Sequence, residues 1–409
     1  MTAAATFSQR IHSCSIIPHP MSTTPSTAQQ LKRKRWQGVR DFWARVTEGL
    51  EIGQLWGQFK SEAHASYGLY SKDVDWDSIR KERNIKRYFL AAWALFQALL
   101  MKLSPARRVL LLIAVILLIF QPDIRFGGNE VTLGLGWVGA AILFVLLALE
   151  LGDRVTMKRD LEIAREIQQW LVPDHPPLVS GMDIAFATRP QNTVAGDYYD
   201  AFLRPLPAAS PGNGPLLVVV ADVAGKSVPA ALLMATFQAS LRALSATSAS
   251  LDEIVAGLSR YTRAHSLEGR RFTTAFLAEI NPKTRQMHYV NAGHNDPILR
   301  RASGQIERLS TGGPPFGLPL FSESEIPYPS GKVQLQSGDL LFIFTDGVVE
   351  AVNEAGQEYG ESRLVPAIEA APPETATETM KRVMTDVNQF VSFARQHDDI
   401  TCLVLRVSA

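Results

Sequence analysis

Along the second half of this chain, runs of apolar, β-branched residues repeatedly stop at an aspartate. The run 216–221 ends at Asp222, the run 340–344 leads into Thr345 and Asp346, and Asp398-Asp399 precede the run 400–407. A fourth acidic segment, Gly196-Asp197-Tyr198-Tyr199-Asp200, lies upstream. Runs of this length bounded by turn residues read as buried strands. A carboxylate at the end of a strand has a rigid support, and several strands can bring their carboxylates to one sheet edge. Such a cluster repels itself unless it is paired. Divalent cations relieve the repulsion, and an oxygen-only donor set suits hard ions such as Mg²⁺ or Mn²⁺ rather than Zn²⁺ or copper. A single aspartate of this kind reads as an exposed turn residue. Four of them, each at a strand border, favour a site.

Further strands are expected at 272–280 and 287–290, and helical spacing runs over 229–244 and 375–393, with Pro229 where a helix would begin. Strands close in sequence with few regular crossover helices predict antiparallel sheets and an α+β fold class. No internal repeat is present.

The 409 residues suffice for more than one domain, and a hydrophobic content of 46% can fill a sizeable core. Forty-one basic against forty acidic residues leave a net charge of +1. No global field therefore recruits nucleic acid, and ligands must be recognised locally. Two cysteines, Cys14 and Cys402, make neither a disulfide framework nor a thiolate metal site, which fits a reducing compartment. Residues 1–30, rich in Ser, Thr, Ala and Pro, lack the regions of a secretory signal and read as a disordered tail. Region 31–104 mixes basic clusters with Trp, Phe and Tyr and shows no catalytic pattern; within it, 88–103 suits either a helix at a membrane surface or a buried amphipathic helix.

Two apolar runs follow, 109–120 and 131–149. The second has about the 20 uncharged residues that a span needs, and the first is shorter. Arg107 and Arg108 before the pair and Arg154, Lys158 and Arg159 after it predict a transmembrane hairpin over 105–152 with both ends in the cytoplasm. Beyond it, over 153–173, Leu161, Ala164, Ile167 and Leu171 line one face of a helix that Pro173 should end. That face needs a partner, either the same helix of a second chain, giving a homodimer, or the core of the domain 174–409.

The ordered motifs of the second half resemble the metal-dependent PPM-type protein phosphatases, and within them the SpoIIE/RsbU-like branch. The resemblance rests on Ala164-Arg165-Glu166-Ile167-Gln168 with Leu171 and Pro173, on Gly196 to Asp200, and on Asp222-Val223-Ala224-Gly225-Lys226 followed by Pro229-Ala230-Ala231-Leu232. It continues through Phe272-Thr273-Thr274, Asn291-Ala292-Gly293-His294, Thr345-Asp346-Gly347 and Asp398-Asp399-Ile400-Thr401. Each motif is weak alone, and their order makes coincidence improbable. The resemblance implies an αββα sandwich of two antiparallel sheets with two Mn²⁺ or Mg²⁺ ions at one edge. Asp197, Asp222, Asp346 and Asp398 would be the metal-binding carboxylates, with Asp222 bridging and the backbone carbonyl of Val223 as a further ligand. Ala195 and Ser227 replace glycines of the commoner pattern.

Such a site implies hydrolysis of a serine or threonine phosphate monoester by a metal-activated water. The phosphorylated substrate would resemble an anti-sigma-factor antagonist, at a cytoplasmic membrane with the phosphatase facing the cytoplasm. His294 is either the proton donor to the leaving alkoxide or a residue that finishes a turn. Asp200 and Glu350 either hold metal-bound waters or lie on the surface. A P-loop is excluded, because Val220 stands where its first glycine belongs. A phospho-accepting switch built on Asp222 and a catalytically inactive binding module are the rival functions.

Overall fold

The computed structural model of the protein describes residues 100–121, 123–126, 131–205, 214–266, 271–318, 328–370 and 375–408, with isolated positions between 90 and 97. The tail 1–30 and nearly all of region 31–104 lie outside the described residues. Two compact units divide the chain, 1–147 and 148–409.

In the first unit, helix α1 spans Pro105–Phe120 with proline in its first turn, and it stops at Gln121, whose φ of 38° is left-handed. A short antiparallel pair follows, β1 (Asp123–Phe126) and β2 (Val131–Gly134). Helix α2 then begins and runs over Gly136–Leu171. A Cβ at Gly139 would come within 2.8 Å of the Ala114 carbonyl oxygen, so glycine is what lets α1 and the start of α2 approach closely.

These elements do not form the expected spans. Residues 131–134, read as the start of the second one, are a strand, which leaves 136–149 as the uncharged part of α2. That stretch is about 21 Å long at about 1.5 Å per residue, and α1 reaches about 24 Å, against about 30 Å of hydrocarbon. Among the described residues no helix is long and apolar enough to cross a membrane.

In the second unit, α2 ends where Pro173 predicts. Its packed face differs from the expected stripe by one position. Leu161, Ala164, Gln168 and Leu171 are half-buried, whereas Ile167 is 49% exposed. Spacings of three, four and three keep the observed set closer to one line than Ile167 does. Ile163, Ile167 and Trp170 form a second, exposed apolar row.

The remaining elements are β3 (Met182–Arg189), β4 (Tyr198–Leu203), β5 (Leu216–Val223), α3 (Val228–Thr247), α4 (Leu251–Ala264), β6 (Thr273–Ile280) and β7 (Gln286–Ala292). They continue with β8 (Ile298–Arg300), β9 (Ile306–Arg308), β10 (Gly312–Gly313), β11 (Gly331–Gln334) and β12 (Leu340–Phe344). The chain closes with α5 (Asp346–Val349), α6 (Glu361–Glu369), α7 (Ala376–Val391) and β13 (Ile400–Val407). One sheet has the order β10-β7-β6-β5-β4, with β11 also on β7; the other has the order β3-β13-β12-β8-β9. Every pairing is antiparallel except the two-residue contact of β10 with β7.

The continuous apolar runs are explained by burial on both faces, with alternate residues entering different cores. Leu216, Val218 and Val220 join Ile343, Leu403 and Leu405 between the sheets. Leu217, Val219 and Ala221 face Met234 and Phe237 of α3 and Ile254 of α4 on the outer side. Phe342, Phe344 and Val404 meet Leu364 of α6 and Val383 of α7 on the other. The layers are therefore helix, sheet, sheet, helix. Helix α4 was not anticipated, although Ser250 caps it by accepting from the Glu253 amide and Glu253 returns a bond to the amide of Ala249.

Phe276 is fully buried between the sheets and stacks on Tyr289 at 5.6 Å. Replacing it with alanine should cost about 3–5 kcal/mol. Urea unfolding of Phe276→Ala checks this through its midpoint at an unchanged m value.

Candidate active site

The acidic residues meet at one edge of the sandwich because of strand direction. Asp197 precedes β4, Asp222 lies near the end of β5, Asp346 opens α5 after β12, and Asp398 and Asp399 precede β13. Antiparallel β4 and β5 pair Tyr198 with Ala221, and the Thr345 amide donates to the Thr401 carbonyl. Starts and ends of strands from both sheets thus share one edge.

The carboxylates feel one another there. Asp197 is buried, and its pKa is raised well above the usual range, first by desolvation and then by the charge of Asp222. Asp222 is raised to about 7 by desolvation, then by Asp346, Asp398 and Asp399. Asp346 is raised by desolvation and then by Asp398. Each shift says that the ionised cluster wants positive charge. Thr345 Oγ1 donates to Asp197 Oδ2 at 3.0 Å and orients it. Asp398 accepts from the Asp399 amide on Oδ1 at 2.9 Å and pairs through Oδ2 with Lys226 Nζ at 2.9 Å. A Cβ at Gly196 would come 3.2 Å from the Val223 carbonyl oxygen, so glycine leaves that oxygen its space.

All these donors are hard oxygens, and their uncompensated charge fits Mg²⁺ or Mn²⁺. Among the described residues no three His, Cys, Asp or Glu side chains stand already gathered as a coordination shell. Asp222 and Asp197 share a side-chain hydrogen bond, and the other carboxylates are neighbours by charge.

Other residues take different roles. Asp399 accepts from the Gln191 amide at 2.6 Å and the Gly196 amide at 2.7 Å, which uses both of its oxygens on the backbone. Asp200 is not a surface residue. It is fully buried and accepts from Tyr198 Oη at 2.6 Å and from Arg242 at 2.6 and 2.9 Å. Glu350 is exposed. Asn291 is buried and holds the turn, accepting from the His294 amide at 2.7 Å and donating to the Leu309 carbonyl. Ser227 has a φ of 65°, a left-handed value that explains why glycine suits this position. Ala195 accepts from and donates to the side-chain amide of Gln168, at 2.7 and 2.9 Å. Gln168 and Lys226 belong to the motifs, but spacing alone gave no hint of their contacts.

His294 is buried, with Nδ1 3.1 Å from Thr274 Oγ1. Desolvation lowers its pKa to about 4, so the imidazole is neutral at pH 7 and holds no extra proton for a leaving group. This geometry favours the turn-finishing alternative.

Residues 212–408 match the family described as Stage II sporulation protein E (SpoIIE). The chain is 28% identical over 255 residues to the phosphoserine phosphatase RsbU of Bacillus subtilis, covering 62% of this chain and 72% of RsbU. It is 25% identical over 318 residues to protein IcfG of Synechocystis sp., covering 70% of this chain and 48% of IcfG, so it spans about half the length of that relative. Among solved structures, the SiaA-PP2C domain of Pseudomonas aeruginosa superposes with a TM-score of 0.53 at 20% identity, covering 62% of this chain and 98% of that domain. The fold and its acidic edge define a PP2C-like α+β domain. This part of the chain is similar to SpoIIE-family, PP2C-type phosphatase domains.

The His294 shift has a sign that can be tested. Between pH 6.5 and about 4 the unfolded chain binds more protons at this residue than the native one, so its contribution to stability shrinks as pH falls through that window. His294→Gln should therefore lose less stability than the wild type between pH 7 and pH 4.5. Parallel urea titrations at the two pH values supply the comparison.

Proposed function

We propose that this protein is a phosphoprotein phosphatase that hydrolyses phosphoserine or phosphothreonine monoesters with the help of two Mn²⁺ or Mg²⁺ ions. The observation that carries the reading is the convergence of desolvated carboxylates from both sheets at one edge, where their pKa values are raised by burial first and by neighbouring charge next. Asp197, Asp222, Asp346 and Asp398 would hold the ions, with the Val223 carbonyl as a neutral donor. When bound, the ions supply the positive charge that acidifies water and offsets charge on the phosphoryl oxygens. The chain's own residues fix the frame for this chemistry. Asp399 ties the segment before Asp197 to β13, Thr345 orients Asp197, and neutral His294 supports Thr274, which pairs with Asp222 across β5 and β6.

The relative named phosphoserine phosphatase supports a phosphoserine substrate. By the motif resemblance, a small phosphoprotein of the anti-sigma-factor-antagonist type is the candidate. A phospho-accepting switch at Asp222 would instead leave a stable acyl phosphate on the protein.

Asp222→Asn or Asp346→Asn should lower the rate on a phosphoserine peptide by at least about 100-fold while the fold is kept. Excess chelator should abolish activity, and added Mn²⁺ should restore it. Undiminished turnover in chelator defeats the metal reading.

The proposal extends to location: attachment to a membrane with the phosphatase domain on the cytoplasmic side, within a homodimer. Exposed Val109, Ile116, Ile119 and Phe120 on α1, with Phe144 on α2, support apolar contact, and the exposed row of Ile163, Ile167 and Trp170 supports pairing. In intact cells, a cysteine introduced at Ser303 should stay unreactive to an impermeant reagent and react after lysis. Labelling before lysis refutes the orientation.

A further inference from the structure

Lys226 lies at the mouth of the carboxylate cluster, between Gly225, with a φ of 118°, and Ser227, with a φ of 65°. Its ammonium pairs with Asp398 Oδ2 at 2.9 Å and also donates to the His397 carbonyl oxygen. The other oxygen of Asp398 is already taken by the Asp399 amide. Lys226 therefore sits on the oxygen that Asp398 would offer to an ion. We infer that Lys226 is a resident counter-cation of Asp398, which a divalent ion must displace to take this carboxylate as a ligand. The inference rests on the metal reading proposed above and adds a device that sets its affinity.

The contrast with other ion pairs of the domain argues for displacement. Arg204 is wholly buried in its pair with Glu279, and Asp339 is almost wholly buried in its pair with Arg301, so those pairs are structural. The side chains of Lys226 and Asp398 are 51% and 37% exposed. An exposed lysine pair is weak and easily parted, because the freed ammonium is rehydrated at once. A divalent ion brings twice the charge and binds several carboxylates together. Lys226 can hold Asp398 while the cluster is empty and yield it when an ion arrives.

The test is calorimetric titration of the full chain with Mn²⁺, wild type against Lys226→Met, with a thermal melt to show that both are folded. Removing the competitor should tighten the weaker Mn²⁺ site by about threefold or more. Equal or weaker binding by the variant overturns the inference. If Lys226 instead grips the substrate phosphate, Mn²⁺ affinity will be unchanged and KM for the phosphopeptide will rise, which overturns it too. No Mn²⁺ binding by either protein overturns the metal reading together with this one. A second readout does not depend on the variant's affinity. In protein reductively methylated with ¹³C, the Lys226 resonance, assigned by its loss in Lys226→Met, should move on addition of Mg²⁺. A resonance that stays still refutes displacement.

Discussion

The two sheets share no hydrogen-bond ladder; the apolar core between them packs them together, and at the acidic edge the carboxylate of Asp399 adds polar contacts that tie the segment before β4 to β13. It sits just before β13 and accepts from the amides of Gln191 and Gly196, in the segment that leads to β4 of the other sheet. Two backbone donors stabilise its charge without help from a cation. The neighbouring Asp398 keeps one oxygen for the cleft. The chain bends at Asp398 just before β13, and the two neighbouring carboxylates find different partners, which makes one a clamp and the other a candidate ligand. Gly347 presses against the same point. A Cβ there would fall 1.9 Å from the Asp399 carbonyl oxygen, so Asp346 is held beside the clamp only because glycine follows it.

Where side chains obey a period, the fold was legible in the residues. The strands 216–221, 340–344 and 400–407 and the helices 229–244 and 375–393 come within a few residues of the observed β5, β12, β13, α3 and α7. Strand β4, Tyr198–Leu203, is harder to read, because Asp200 interrupts its apolar character and its charge partner is Arg242, 42 residues away. Long-range pairing of that kind leaves no local pattern. Over 131–149 the opposite error arises. Apolar composition is the same for a span, a strand and a packed helix, and the turn at 135–136 that divides β2 from α2 has no strong breaker beyond glycine.

The acidic edge could be located from sequence because each aspartate ends a run, but roles within it could not be assigned that way. Asp197 and Asp200 are three residues apart, both buried and both next to tyrosine. What separates them is the cation each can reach. Asp200 has Arg242 within hydrogen-bonding distance, and elsewhere in the domain Glu279 has Arg204 and Asp339 has Arg301. A buried carboxylate with its own arginine has its charge compensated from within the chain. The pKa values of Asp197, Asp222 and Asp346 are raised instead, by desolvation first and then by the charge of neighbouring carboxylates, and the cation that reaches this group is Lys226, bound to Asp398 at the exposed rim. A chain that supplies an arginine to buried Asp200 and Asp339 and to half-buried Glu279, and one half-exposed lysine to its densest acidic group, leaves that group short of positive charge. The deficit, more than any single motif, argues that the missing charge comes from solution.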